Sequence, residues 1–254
     1  MAACASRSAK PDETKELPYL SEKDEIKFGN YVDAVVRSQY PIIKDEHLTR
    51  QVSAIGNQLV DVSTRPHLSY TFKVLNTSEV NAFAGPGGFV YVTVGLLDKL
   101  ESRDELAAVL AHEIGHVCER HSVRSYYTAQ KMQNVLTLID IAAMVAGVPP
   151  VASMGGDMVG DFSRIVANLT AMIIAQGYSR SWENRADELA FDYASRADYD
   201  PRAFVTVLER FRAMEMEKGE AIKITLLSSH PKTEDRIAHI KSLLGEDANN
   251  ETGN

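Results

Sequence analysis

His112-Glu113-Ile114-Gly115-His116 sets two imidazoles and a carboxylate at the spacing with which a helix can hold a catalytic zinc. Residues at i and i+4 share one face of an α-helix, one turn apart, so both rings can reach a single tetrahedral ion. Glu113 points beside them, close enough to take a proton from a water on that ion, and the pattern reads as metal-assisted hydrolysis. By itself the pentapeptide also fits a surface helix that carries two histidines by chance.

The flanking sequence supports the helix. Ser102-Arg103-Asp104-Glu105 reads as a capping box, in which the serine hydroxyl and the glutamate carboxylate reciprocally satisfy backbone N–H groups, so the helix starts near Arg103. Leu106, Val109, Leu110 and Val117 recur at helical spacing, and no proline interrupts the run through Gln130. Gly115 costs about 1 kcal/mol relative to alanine inside a helix. A small residue there allows another backbone to approach closely.

A third ligand is available at Glu183, in the helix-like stretch Ser181-Trp182-Glu183-Asn184-Arg185-Ala186-Asp187-Glu188-Leu189-Ala190. Serines stand at its start, and alanine, leucine and Phe191 form an apolar stripe. Glu183 and Asp187 are again i and i+4. One carboxylate can bind the ion while the other accepts the N–H of a ligating imidazole. Either carboxylate alone would read as an acidic helix face paired with Arg180 and Arg185; the two patterns together favour a zinc site.

HEIGHVCERH at 112–121 and ENRAD at 183–187 resemble the HExxH and ExxAD motifs of the zinc metallopeptidases that include the CAAX prenyl protease, the heat-shock membrane protease HtpX and soluble bacterial periplasmic relatives. The resemblance continues through Asn81-Ala82-Phe83-Ala84, the Pro86-Gly87-Gly88 turn, and Ser229-His230-Pro231 with Arg236, and spans residues 20–243. It implies a predominantly helical α+β fold, a zincin-like domain with a small sheet beside the HExxH helix. One zinc per active site would be held by His112, His116 and Glu183, with Glu113 carrying the proton. Asp187 would orient His112, although the sequence leaves His116 open as its partner. Asn81, Ala82, Phe83 and Ala84 would form an edge strand to which an extended polypeptide substrate adds by main-chain hydrogen bonds. His230 would either donate to the developing oxyanion or occupy the open position on zinc. Arg236 would support that loop or the transition state, or simply pair with Glu234 or Asp235. His121, five residues past His116, falls outside the ligand set. His47, His67 and His239 lack a partner pattern, and Met214 and Met216 read as packing or surface residues.

Length and composition fit one substantial domain: 254 residues, 44% hydrophobic and 24% charged. A metallopeptidase domain is expected over 19–244, between a flexible segment at 1–18 and a disordered polar tail at 245–254. Helices are expected at 21–38, 46–60, 201–218 and 232–244, and strands at 70–74, 79–84 and 89–94. A formal charge of −8 with no dense basic stripe excludes a general nucleic-acid binder.

No secretory signal peptide or complete membrane-spanning helix is read in the chain. The apolar run at 135–148 is short for a bilayer, contains Asp140 and ends at Pro149-Pro150, which favours a core helix. A second reading makes 135–177 a hinged cover over the cleft, bending at Gly155-Gly156 and Gly160.

Two cysteines describe no disulfide framework, and Cys118 reads as a small inert side chain. Met1-Ala2-Ala3-Cys4 is similar to the end of a bacterial lipobox, which implies a periplasmic protein attached to the membrane through a lipid on Cys4. The expected activity is zinc-dependent hydrolysis of peptide bonds in unfolded or damaged envelope proteins. The alternative is a zinc-containing, chaperone-like protein that binds unfolded chains. An intact Glu113 favours catalysis, because a purely structural site has no need of a base there.

Overall fold

A computed structural model describes residues 20–129, 178–217, 230 and 233–245. The expectations for Cys4, for 1–18, for the apolar run at 135–148 with its cover, and for 246–254 lie outside these residues. The described part is α+β and mostly helical, around one small sheet.

Two helices lead in: α1, Glu22–Gln39, and α2, Glu46–Asp61. Each starts on a side-chain cap, Ser21 accepting from the Asp24 N–H and Asp45 from the Leu48 N–H. The sheet follows, with β1 at Thr71–Leu75, β2 at Ala82–Ala84 and β3 at Phe89–Thr93, in the order β1-β3-β2. β1 runs parallel to β3 and β2 antiparallel to it, in a register that pairs Phe72 with Val90 and Phe83 with Tyr91. Side chains alternate across the sheet. Phe72, Val74, Ala82, Ala84, Val90 and Val92 join the main core, while Leu75, Phe83, Phe89 and Tyr91 pack on Val32 and Val36 of α1.

β2 is shorter than the expected strand at 79–84. The Thr93 hydroxyl donates to the Glu79 carbonyl (2.6 Å) and accepts the Asn81 N–H (3.1 Å), so beyond one main-chain bond, from the Thr93 N–H to the Asn81 carbonyl (3.1 Å), a side chain takes over along 79–81. The same oxygen accepts the Leu96 N–H and caps the short helix α3, Val94–Leu97. Between β2 and β3 the turn at Pro86–Gly88 holds Gly87 and Gly88 at φ of 70° and 91°. A Cβ on Gly88 would stand 2.5 Å from the Ser69 carbonyl oxygen, so glycine serves both the backbone and the space.

The HExxH helix, α4, runs Arg103–Cys118. Its residues from Ala107 to Val117 are buried, the pattern of a helix enclosed on every side. The cap differs in detail from the expected box. Ser102 Oγ accepts the Glu105 N–H (3.1 Å), but the Glu105 carboxylate takes the N–H of Glu101 (2.6 Å) and closes on Arg210 at 2.6–2.7 Å. The uninterrupted helical run to Gln130 is also corrected. α4 stops at Cys118, Arg120 enters the left-handed region at φ 56°, and α5 resumes at His121–Ala129. That conformation costs roughly 1–2 kcal/mol in a non-glycine residue. It is held by an ion pair from Arg120 to Glu25 (2.8 Å) and a hydrogen bond to the Leu20 carbonyl (2.8 Å). Glu25 also receives Arg65 and the Gly87 N–H, tying α1 to the kink and the hairpin turn.

Against α4 lies α6, Arg180–Arg196, followed by α7, Arg202–Glu217, and α8, Thr233–Leu243. A Cβ on Gly115 would meet the Ala186 carbonyl oxygen at 3.1 Å and its Cα at 3.3 Å. The glycine thus allows the backbone of α6 to approach the turn that carries His112 and His116. Met214 packs against the core and Met216 is exposed. No helix among the described residues is long and apolar enough to cross a membrane.

Candidate metal centre

α4 and α6 bring their functional side chains together at this contact. His112 and His116 lie one turn apart with their Nε2 atoms 2.9 Å from each other. Glu183 Oε2 is 3.5 Å from His112 Nε2, and Glu183 Oε1 is 3.7 Å from His116 Nε2. His230 joins from outside these helices, its Nδ1 standing 3.2 Å from His112 Nε2 and 3.2 Å from each Glu183 oxygen. Among the described residues, one donor atom from each of His112, His116, Glu183 and His230 lies within 4.8 Å of the others, all four buried.

This donor set fits a divalent cation. Ligands about 2.0–2.1 Å from a tetrahedral zinc stand roughly 3.3 Å apart, inside the range of the distances above. Two imidazole nitrogens and a carboxylate converge with lone pairs facing one another, which an ion would satisfy, and the Arg236 guanidinium flanks them at 3.3 Å from His112 Nε2 and 3.4 Å from Glu183. Glu113 is the second sign. Both of its carboxylate oxygens are buried and take no hydrogen bond from the described residues, among which His230 Nε2 stands 3.4 Å away. Burial pushes its carboxyl pKa up, against the pull of His230 and His112. A carboxylate in that condition readily takes a proton.

Asp187 lies one turn beyond Glu183, and of the two histidines it is His112 that it touches, Oδ1 standing 2.9 Å from His112 Nδ1. Arg236 grips Asp187 with two bonds, Nη2 to Oδ1 (2.7 Å) and Nε to Oδ2 (3.0 Å), and reaches the His230 carbonyl at 3.4 Å. The alternative pairing of Arg236 with Glu234 or Asp235 is not what forms. Asp235 faces Arg180 instead, because Arg236 lies on the buried side of α8.

Burial and charge together set the protonation of these groups. Burial lowers the His112 imidazole and Arg236 lowers it further, but hydrogen bonds to Asp187 and Glu183 outweigh both and raise it to about 9. His116 is held well below its usual range by burial and by His112. Burial raises the Glu183 carboxyl, yet His230 and Arg236 leave it well below the usual carboxylate range.

Aromatic packing around His116 was not foreseen from the sequence. Tyr178 stacks on the His116 ring at 4.4 Å, and His121 stacks on Trp182 at 4.9 Å and 3°. His121 Nδ1 lies 2.8 Å from His116 Nδ1. One available signal was the position of the sole tryptophan, directly before Glu183. On the far side Phe204 of α7 packs against His112, and a small cavity beside Glu113 is lined by Val109, Phe204, Leu208 and Arg236. Asn81, Ala82, Phe83 and Ala84 are all buried, with β2 at one edge of the sheet and packed on α4. His47 and His67 are exposed, and His239 is only partly buried. Cys118, half-buried, lies 3.5 Å from the Tyr70 hydroxyl.

Residues 46–244 match the sequence family described as peptidase family M48. The chain is 27% identical over 223 residues to the beta-barrel assembly-enhancing protease of Escherichia coli strain K12, covering 88% of this chain and 44% of that protein. It is 32% identical over 218 residues to the mitochondrial metalloendopeptidase OMA1 of Schizosaccharomyces pombe, covering 86% and 58%. With the metalloprotease LoiP of Escherichia coli strain K12 it shares 26% over 203 residues, covering 80% and 71%. The chain thus spans about half the length of the first two relatives, 44% and 58%.

Proposed function

The chain belongs to peptidase family M48, and from that premise we propose that it is a zinc-dependent endopeptidase acting on polypeptide substrates. The observation that carries this reading is the pairing of a buried four-donor cluster with an adjacent carboxylate, Glu113, that takes no hydrogen bond from the described residues. A structural metal site would not need that carboxylate. His112, His116 and Glu183 would hold the ion. When bound, zinc supplies polarisation of the scissile carbonyl and an acidified water. Glu113 takes the proton on its free carboxylate oxygen and returns it to the leaving amine. Asp187 keeps the His112 proton on Nδ1, and Arg236 keeps Asp187 in place.

His230 is read as a resting cap on the ion. Its Nδ1 lies among the donor atoms, which supports the cap over the oxyanion-donor alternative. The four residues at 81–84 are proposed to receive the substrate backbone. Their burial requires the region to open for a chain to enter, which favours unfolded over folded substrates. Damaged envelope proteins are the proposed substrate class, and a periplasmic site with a lipid on Cys4 the proposed setting. The name of the Escherichia coli relative refers to beta-barrel assembly, and that supports an envelope role here. The chaperone-like alternative draws no support from relatives that are named as proteases.

Glu113→Gln tests the reading because it keeps shape while removing the base. Bound zinc measured by metal analysis should stay at one per chain, while cleavage of an unfolded protein such as reduced casein should fall about 10²–10⁴-fold. Undiminished cleavage by the metal-loaded variant would overturn the role of Glu113.

A further inference from the structure

We propose that His121 is the positioning residue for His116, holding that ligand's proton on Nδ1 so that Nε2 stays free for the ion. The inference rests on the metal-centre reading above and deepens it.

The two Nδ1 atoms are 2.8 Å apart, which requires one proton between them, with one ring donating and the other accepting. His116 Nε2 belongs to the donor cluster, so its ring proton sits on Nδ1. His121 therefore accepts, as a neutral imidazole whose own proton is on Nε2. The backbone is arranged for this contact. In an unbroken helix a residue at i+5 lies about 140° around the axis from residue i, facing away from it. The left-handed Arg120 ends α4 and turns the chain, so that His121 comes behind His116. Trp182 then fixes the plane of the His121 ring by parallel stacking, and Tyr178 covers the face of His116.

His112 and His116 thus each have their own support, a carboxylate for His112 and an imidazole for His116. The difference follows from charge. Glu113, Glu183 and Asp187 already place three buried carboxylates around the site, against the buried Arg236. A neutral acceptor behind His116 avoids a fourth buried negative charge.

Zinc affinity, measured by competition with a chromophoric chelator at neutral pH, separates this role from simple packing. His121→Phe keeps a ring on Trp182 and loses the acceptor; His121→Asn keeps an acceptor near Nδ1 and loses the ring. The phenylalanine variant should bind zinc about 10–100-fold more weakly, and the asparagine variant should stay close to wild type. Wild-type affinity in the phenylalanine variant, or equal loss in both, overturns the inference. Nitrogen-15 NMR of the zinc-loaded wild type reads the tautomer without any substitution. It should show His121 protonated on Nε2 alone, and protonation on Nδ1 would overturn the assignment. Wild-type protein that takes up no zinc would overturn the metal centre itself, an outcome distinct from the others.

Discussion

Arg236 is a buried guanidinium whose planar fork matches the two oxygens of Asp187, and its Nη1 also lies 3.4 Å from Glu183. Removing it would leave two carboxylates buried with one cation fewer. Breaking such a pair from one side costs about 3–5 kcal/mol, mostly because the remaining charge stays desolvated. Arg236→Met is therefore expected to lower unfolding stability by about 3–5 kcal/mol in urea at neutral pH. Loss of orientation at His112 should also weaken zinc binding. A stability change below about 1 kcal/mol would show that the pair contributes no more than a surface ion pair does. At this scale His112, His116, Glu183 and Asp187 were legible because i, i+4 spacing declares a shared helix face. His121 was not, because its contact depends on a kink at Arg120 that no residue preference announces.

At the scale of elements, the crossing of α4 and α6 decides the site. Gly115 faces α6, and the two nearest atoms a Cβ would meet are backbone atoms of Ala186. Alanine gains about 1 kcal/mol in helix propensity. Here it must push back a helix carrying both Glu183 and Asp187. Overpacking of this kind costs about 1–3 kcal/mol, so Gly115→Ala is expected to end at or below wild-type stability with weaker zinc binding. Calorimetry together with chelator competition checks both effects, and a variant stabilised by the full propensity gain with unchanged affinity would count against the close crossing. The strand boundary read from the sequence moved where a side chain stood in for backbone, the Thr93 hydroxyl bonding Glu79 and Asn81 beyond β2. The start of α4 at Arg103 stands as read, and only the Glu105 carboxylate finds another partner, the Glu101 N–H.

For the whole molecule, the ion and the sheet offer separate measures of stability. An ion bound only by the folded state at about 100 times its dissociation constant adds roughly 2.7 kcal/mol. Stripping zinc with a chelator should lower the melting temperature, and re-added zinc should restore it. An unchanged melting temperature would contradict a site built by folding. Far from the centre, Asp33 of α1 meets Lys73 of β1, Tyr91 of β3 (3.0 Å) and Arg37 (2.8 Å). Burial raises its carboxyl, but Lys73, Arg37 and Tyr91 outweigh that and leave it below its ordinary value of 3.8. A group depressed in this way contributes stability that is full above 3.8 and lost as pH falls through the folded value. Asp33→Asn should cost about 2 kcal/mol at pH near 7, and the gap to wild type should close in acid below the ordinary value. A gap that persists unchanged at low pH would assign the effect to packing.

What the sequence determined by itself was whatever is periodic or local. The helical face with His112 and His116, the second face with Glu183 and Asp187, the alternation of β1, and the glycines of the Pro86–Gly88 turn all follow from spacing along one chain. Tertiary structure alone decided which faces meet. Arg236 grips Asp187 in place of its helical neighbours, His230 enters the donor cluster, and His121 returns to His116 through a left-handed residue. Those contacts join residues whose separation in sequence carries no period. They form because charged and polar groups buried by the crossing of α4, α6 and α8 must find partners within the core.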